Sequence, residues 1–325
     1  MNASFKKSSV PEKSVFKMDG YCIWDPSLVV DGAGEFHMFF SRWPIEKGFE
    51  AWVTNSEVCY ASAETAQGPF KFEKTIFKQR KGYWDGDVTH NPQAFYLNNK
   101  FYIFYNGNSG NGEWWDHRNN QRIGVAVSEN PTGPWKRFDA PLLDVTPESW
   151  DSMVTTNPTF CAISPDKYML LYKCVGDKYP APQYGPVTHG VAFARSPLGP
   201  FVKSPNPVFQ KGDEKFPGED PFIWRQDNTF YALLKDMKSF YTTESKAIAL
   251  FESQDGISWK LSEPALAFTR IVNFESKSEF PIFRMERPFL FLENGRPSTL
   301  YCAAKPTKES QESFIFAQKV EFLKR

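Results

Sequence analysis

The feature that most constrains this chain is a repeat of about 65 residues, in which an X-Pro pair opens an apolar-aromatic run. It occurs five times: at Asp25-Pro26 (WDPSLVV), Asn91-Pro92 (HNPQAFYL), Asn157-Pro158 (TNPTFCAI), Asp220-Pro221 (EDPFIWR) and Arg287-Pro288 (ERPFLFL). The prolines stand 66, 66, 63 and 67 residues apart. A second strand-like run follows each one (EFHMFFSR, KFYIFYNG, KYMLLYKC, TFYALLKD, STLYCAA) after turn signals such as VDGAGE, LNNK and RQDN. The outer half repeats as well. VCYASAETAQGPFKF, IGVAVSENPTGPWKRF and HGVAFARSPLGPFVKS share a strand, a polar turn and a Gly-Pro-aromatic step, with Gly68, Gly133 and Gly199 spaced 65 and 66 apart. IALFESQDGISWKLS is a fourth version, and FIFAQKVEFLKR a shortened fifth.

Four strands in each of five units predict an all-β fold: a five-bladed β-propeller with four-stranded antiparallel blades around a central axial pocket. A β-sandwich needs no register this regular, and an α-solenoid needs a helical periodicity that these units lack. The propeller is expected to span 21–325 as one domain. Residues 1–20 form an N-terminal extension, a candidate for the strand that closes the ring.

Composition agrees and removes other classes. The chain has 325 residues, with 31 Phe, 13 Tyr, 10 Trp, 25 Pro and 20 Gly, which favour strands and turns over long helices. Its 38 Lys+Arg balance 38 Asp+Glu, without the basic footprint that nucleic-acid binding needs. No apolar run is long enough for a membrane helix. The N-terminus lacks the apolar core of a secretory leader, so the sequence as written reads as cytoplasmic, or as a secreted or periplasmic protein whose leader has been removed. Cys22, Cys59, Cys161, Cys174 and Cys302 show no C-x-x-C spacing and are expected to be buried free thiols.

In a propeller the first strand of each blade lines the channel, so the residues around the five X-Pro pairs converge on one axis. The pre-proline set is Asp25, Asn91, Asn157, Asp220 and Arg287, and one step earlier stand Trp24, His90, Thr156, Glu219 and Glu286. Packing alone would not gather so many ionisable groups, because buried charges are costly unless paired. The plainer alternative is local pairing, for example Glu286 with Arg287 or Lys235 with Asp236. Carboxylates facing one another across a pocket are the machinery of glycoside hydrolysis, one as acid and the other as base or nucleophile. Trp24 and Trp43 suit sugar faces, while Asn91 and Asn157 suit hydroxyls; Trp43 and Trp52 equally suit packing between blades.

On these motifs the chain resembles the five-bladed propeller glycoside hydrolases around family 43, with kinship to families 32, 62, 68, 117 and 130. The resemblance covers the whole repeat, although its specific motifs are short. It implies Asp25 of WDP as base or nucleophile and Glu219 of EDP as general acid. It also implies an Asp in the third blade that tunes the acid, where this sequence has Asn157. Either Asn157 only binds the sugar and Asp220, Asp151 or Glu286 takes over the tuning, or the active set is rearranged. The implied activity is hydrolysis of a terminal or short-chain glycosidic bond in a plant or algal polysaccharide or oligosaccharide. Inversion is expected by likeness to family 43, and retention would follow from likeness to family 32. The alternative outside enzymes is a non-catalytic carbohydrate-binding propeller, and a protein-interaction propeller ranks behind it.

Further polar residues are expected around the pocket. The segment EWWDHRNNQRIG brings His117 and Arg118, the ends of inner strands add Arg42 and Lys173, and His189 opens the run HGVAFA. So many cations suggest a substrate carrying a carboxylate or sulfate; the plainer reading pairs Arg118 and Arg122 with Asp116, Asp87 or Asp85. His90, His117 and His189 are the groups that would hold a metal, yet no i,i+4 His pair or Asp-rich loop accompanies them. No cofactor is therefore expected to be required, with a central structural ion as the alternative. The expected partner is an oligosaccharide or polysaccharide, with neither nucleic acid nor membrane; oligomeric state is not legible.

Overall fold

The computed structural model describes residues 3–324, so Met1, Asn2 and Arg325 lie outside the described residues. It is a five-bladed β-propeller. Blade 1 runs Tyr21–Val30, Phe36–Pro44, Glu57–Ala63 and Lys71–Thr75; blade 2 runs Val88–Leu97, Lys100–Asn108, Arg122–Ser128 and Lys136–Arg137. Blade 3 comprises Val154–Ser164, Lys167–Val175, Val187–Ala194 and Val202–Lys203, and blade 4 Gly218–Gln226, Thr229–Asp236, Ile248–Ser253 and Lys260–Phe268. Blade 5 contributes Arg284–Glu293, Arg296–Lys305 and Phe314–Lys324, and its outermost strand is Ala3–Lys7, paired antiparallel with Phe314–Lys324. The two ends of the chain thus share one blade. Phe5 of that strand packs on Phe268, Phe322 and Trp224.

Apolar wedges between neighbouring blades hold the ring. Phe39, Tyr60, Ile103 and Tyr105 fill one between blades 1 and 2, and Phe104, Phe160, Leu170 and Tyr172 one between blades 2 and 3. There Phe95 stacks on Phe160 with ring centroids 4.1 Å apart. The glycine of the third strand recurs for a steric reason. At Gly124 a Cβ would meet Trp84 at 2.6 Å, and at Gly190 it would meet Trp150 and Tyr172 at 2.5 Å. All five cysteines are free and buried, and burial pushes the thiols of Cys59 and Cys161 up to about 12. Among the described residues no helix is long and apolar enough to cross a membrane.

The X-Pro pairs position the site. In every inner strand the register with the second strand shifts across the pair, from Trp24 to Ser27, His90 to Gln93, Thr156 to Thr159, Glu219 to Phe222 and Glu286 to Phe289. Two residues oppose one at each step, which is a β-bulge, and a bulge tolerates a proline that cannot donate to the ladder. The pre-proline residue takes the left-handed conformation in all five blades, with φ of 57° at Asp25, 51° at Asn91, 49° at Asn157 and 56° at Asp220 and Arg287. Asp and Asn tolerate that region better than other non-glycine residues. Backbone geometry alone would therefore explain four of the five. It does not explain Arg287, which has no such preference, so the reason for an arginine there lies in its side chain.

Candidate active site

The five bulges turn the pre-proline side chains onto the axis, where they join in a closed ring. Arg287 Nε lies 2.9 Å from Asp25 Oδ1, and Arg287 Nη1 lies 3.2 Å from Asp220 Oδ1. Asn157 Nδ2 donates to Asp220 at 2.8 Å, and the amides of Asn91 and Asn157 meet at 2.6 Å. With its amide nitrogen turned toward the carboxylate, Asn91 lies 2.7 Å from both oxygens of Asp25. Backbone donors lock neighbouring blades in the same way. The N–H of Asn91 reaches Asp25 Oδ2 and Ser41 Oγ, that of Asn157 reaches Asn106 Oδ1, and that of Arg287 reaches Asp220 Oδ2. On one side of this ring the five prolines line a small axial void. On the other a cavity of about 490 Å³ opens, with the ring as its floor.

Residues one step before the ring form the second tier. Glu219 receives Lys235 Nζ at 2.8 Å and Lys173 Nζ at 3.3 Å, and the same Lys235 Nζ lies 2.5 Å from Glu286. The register explains the lysines, since Lys173 faces Thr156 and Lys235 faces Glu219 across the first ladder of their blades. Electrostatics then separates the two glutamates. Burial would raise Glu219, but Lys235 and Lys173 outweigh it and hold that carboxyl well below the usual range. Burial also raises Glu286; its lone lysine offsets this only in part, and the charges of Glu219 and Asp220 push the same way, so its carboxyl is held above the usual range. Lys235 is raised in turn, because Glu219, Glu286 and Asp220 outweigh the effect of its burial. Asp25 is raised by burial, against the opposing pull of Arg287.

The walls are aromatic. Trp24, Trp43, Phe49 and Trp52 of blade 1 stand beside Trp114 and Trp115 of the short helix Trp114–Asn119, with Tyr184 and Phe216 completing the lining. Trp52 meets Trp114 edge-on at 5.8 Å and lies 5.4 Å from His90. His90 is buried, and that burial lowers it to about 3, so it faces the cavity as a neutral imidazole. Its Nε2 has no hydrogen-bond partner among the described residues.

Of the fifteen residues expected at the site, the cavity is lined by Asp25, Glu219, Asp220, Glu286, Trp24, Trp43, His90, Asn91, Arg118, Asn157, Lys173 and Arg287. Three lie elsewhere. Arg42 is one residue past the register position that faces the axis: its blade presents Ser41 where blades 3 and 4 present Lys173 and Lys235. A one-residue step in a strand changes faces, so Arg42 binds Glu57 and Thr75 and sits between Tyr21 and Phe72. His117 is buried under the loop that carries the tryptophans. Its Nε2 accepts the Gly112 N–H, which places the proton on Nδ1, 2.6 Å from Asn108 Oδ1. His189 is buried against Phe209 with neither ring nitrogen hydrogen-bonded among the described residues, and burial lowers it to about 3.

The local pairings expected as the plainer reading are also corrected. Glu286 pairs with Lys235, Arg287 with Asp25 and Asp220, and Asp236 caps the backbone N–H groups of Phe240, Tyr241 and Thr242. Arg122 binds Asp144, while Asp151 binds Lys203 and Tyr172 outside the cavity. Phe49, Gln121, Gln183, Lys215 and Arg284 line the cavity without having been singled out. All five come from segments outside the matched strand cores of the repeat, where periodicity carries no signal.

Oxygens of Glu219, Asp220 and Glu286 gather within 4.8 Å, a donor set of the type a hard cation accepts. The protein's own cations already hold these oxygens: Lys235 bridges Glu219 and Glu286, and Arg287 holds Asp220. At this cluster a cation would have to displace Lys235 and Arg287 from the carboxylates.

No family model matches the sequence, and no curated protein matches it. Solved structures do. A family 117 glycoside hydrolase from the marine bacterium Zobellia galactanivorans superposes with a TM-score of 0.68 at 17% identity, covering 99% of this chain and 90% of that one. An endo-arabinase from Bacteroides thetaiotaomicron gives 0.62 at 14% identity over 96% and 97% of the two chains. A family 43 β-xylosidase/α-arabinofuranosidase from a compost metagenome, solved with xylotriose, gives 0.61 at 15% identity over 97% and 94%. The chain has the five-bladed propeller fold of these glycoside hydrolases.

Proposed function

We propose that the protein is a glycoside hydrolase that cleaves a terminal or short-chain glycosidic bond of a plant or algal oligosaccharide or polysaccharide in the axial cavity. One observation carries this reading: Asp25, paired with Arg287, and Glu286, beside Lys235, open onto the same aromatic-walled cavity. Asp25 takes the proton of a water whose oxygen attacks the anomeric carbon. As the bond to the leaving oxygen breaks, that oxygen receives a proton from the acid. Resemblance to family 43 favours inversion.

The family pattern would make Glu219 the acid. Its two lysines favour the ionised form, whereas Glu286 has only one and keeps its proton to higher pH. We therefore assign the acid to Glu286. Once it has given up its proton, its carboxylate is left against Lys235 Nζ, which stabilises the new charge. Activity is expected to fall at low pH as Asp25 protonates and at high pH as Glu286 ionises. Because both groups are raised, both limbs lie above the ordinary carboxylate values.

Leaving-group dependence tests the assignment. Glu286→Gln should lower turnover of a natural linkage by about 10²–10⁴-fold, yet keep most of its rate on a nitrophenyl glycoside, whose leaving group needs no proton. Glu219→Gln should show no such selective rescue; rescue of Glu219→Gln alone would return the acid to Glu219. The reaction as written uses no metal, so exhaustive treatment with EDTA should leave the rate unchanged, and loss of rate with recovery on adding Ca²⁺ would contradict it. Asn157 supports a second reading, a carbohydrate-binding propeller without catalysis, because an amide stands where the relatives' pattern has a tuning Asp. That reading requires saturable oligosaccharide binding with no release of reducing ends.

A further inference from the structure

Five basic side chains line the cavity, and three of them have carboxylate partners. Lys173 binds Glu219, Arg287 binds Asp25 and Asp220, and Arg284 binds Glu50 at 2.7 Å. Arg118 and Lys215 have no carboxylate within 4.0 Å among the described residues. Arg118 projects from the helix Trp114–Asn119 and uses only Nη1, toward Asn119 Oδ1 at 2.8 Å and the carbonyl of Gln183 at 3.1 Å. Its Nε and Nη2 make no hydrogen bond among the described residues. Lys215 stands just before the inner strand of blade 4 and rests on the ring of Tyr179, 4.3 Å from the centroid. Tyr179 and Gln183 belong to one loop, so the two cations flank the same stretch of the cavity mouth. Three other half-buried arginines pair with carboxylates, Arg80 and Arg137 with Asp85 and Arg122 with Asp144, whereas Arg225 and Arg270 bind only carbonyl and amide oxygens. Arg118 is half-buried without such compensation, and burial alone lowers it to about 10.

The floor of the cavity carries Asp25, Asp220, Glu219 and Glu286. An anionic group would be repelled there and attracted at the mouth. We infer that Arg118 and Lys215 form a subsite for an anionic substituent, a carboxylate or sulfate on the bound oligosaccharide, which orients the glycan with its uncharged reacting end on the carboxylates. A guanidinium with two free donors matches the planar or multi-oxygen anions, and the lysine adds a mobile point charge. This rests on the hydrolase reading for the orientation of the glycan, but not for the binding itself.

Binding is measured by calorimetry on full-length Asp25→Asn protein, with and without Arg118→Gln and Lys215→Gln. The probes are length-matched neutral xylo-oligosaccharides, uronate-bearing xylo-oligosaccharides and sulfated galacto-oligosaccharides. One charge-assisted contact predicts about 10–100-fold tighter binding of an anionic arm over the neutral one, shrinking as salt is raised. The double substitution should remove that preference while the thermal melt stays intact. Whichever anionic arm is preferred identifies carboxylate or sulfate as the source. Equal or tighter binding of the neutral arm, or a preference that survives the double substitution, overturns the subsite. Reducing-end assays on the wild type separate the two readings. Cleavage of neutral glycans without anionic preference overturns the subsite alone, and anionic preference without any cleavage overturns the hydrolase alone. Absence of binding and cleavage on every arm overturns both.

Discussion

Replacing Lys235 with methionine is expected to destabilise the protein by about 3–5 kcal/mol at neutral pH, the range for removing one partner of a buried ion pair, and to abolish turnover. Lys235 has a side chain only 4% exposed and is bonded to both Glu219 and Glu286, with Asp220 in the same cluster. Methionine fills a similar volume without the charge, so the loss reports electrostatics rather than a cavity. The pH dependence gives the sign. In the wild type Glu219 is depressed, so its contribution to stability is present above the unfolded value of about 4.3 and lost as pH falls below it. Without Lys235, burial would dominate at Glu219 and raise it, and Glu286, already raised, would rise further. Each raised group then contributes stability that is present below its unfolded value and lost as pH rises through its folded value. The variant should therefore lie closest to the wild type near pH 5 and furthest from it near pH 8. Thermal melts across that range check this, and a difference that is flat with pH would remove Lys235 from the account.

Asp25→Asn is expected to lower kcat by about 10²–10⁴-fold while the fold is kept. Asn matches Asp in shape, accepts left-handed φ, and leaves Arg287 its bond to Asp220. Separating catalysis from structure matters here because Asp25 is both the candidate base and a link in the axial ring. A variant that melts near the wild type but has lost turnover identifies the base. One that loses both in proportion identifies a structural link only. Measuring kcat and the melting temperature on the same preparations decides between them.

The fold was legible in the sequence because each blade repeats the same physical solution. A left-handed bulge wants Asp or Asn followed by Pro, the second strand wants a buried aromatic run, and Gly124 and Gly190 leave room for Trp84 and Trp150. That frame also placed Asp25, Asn157, Glu219 and Glu286 on the axis. It misplaced Arg42 through a single step of register, because Ser41, not Arg42, pairs with Trp24 in the ladder. His117 and His189 were drawn in by chemical type; both are buried where histidine organises or packs. Phe49, Lys215 and Arg284 had no period to reveal them, since each lies where the repeat is interrupted or begins. The least legible feature was the electrostatic difference between Glu219 and Glu286. It depends on two lysines from blades 3 and 4 converging on one carboxylate, a contact between residues 46 positions apart in one case and 16 in the other.

The central claim is that the axial carboxylates hydrolyse a glycosidic bond. Its most direct measurement is reducing-end release from a panel of plant and algal oligosaccharides by the wild type, with Asp25→Asn assayed beside it. Release from at least one oligosaccharide by the wild type, reduced at least a hundredfold in Asp25→Asn, is the expected result. Equal release by both proteins, or saturable oligosaccharide binding by the wild type with no release at all, would contradict it.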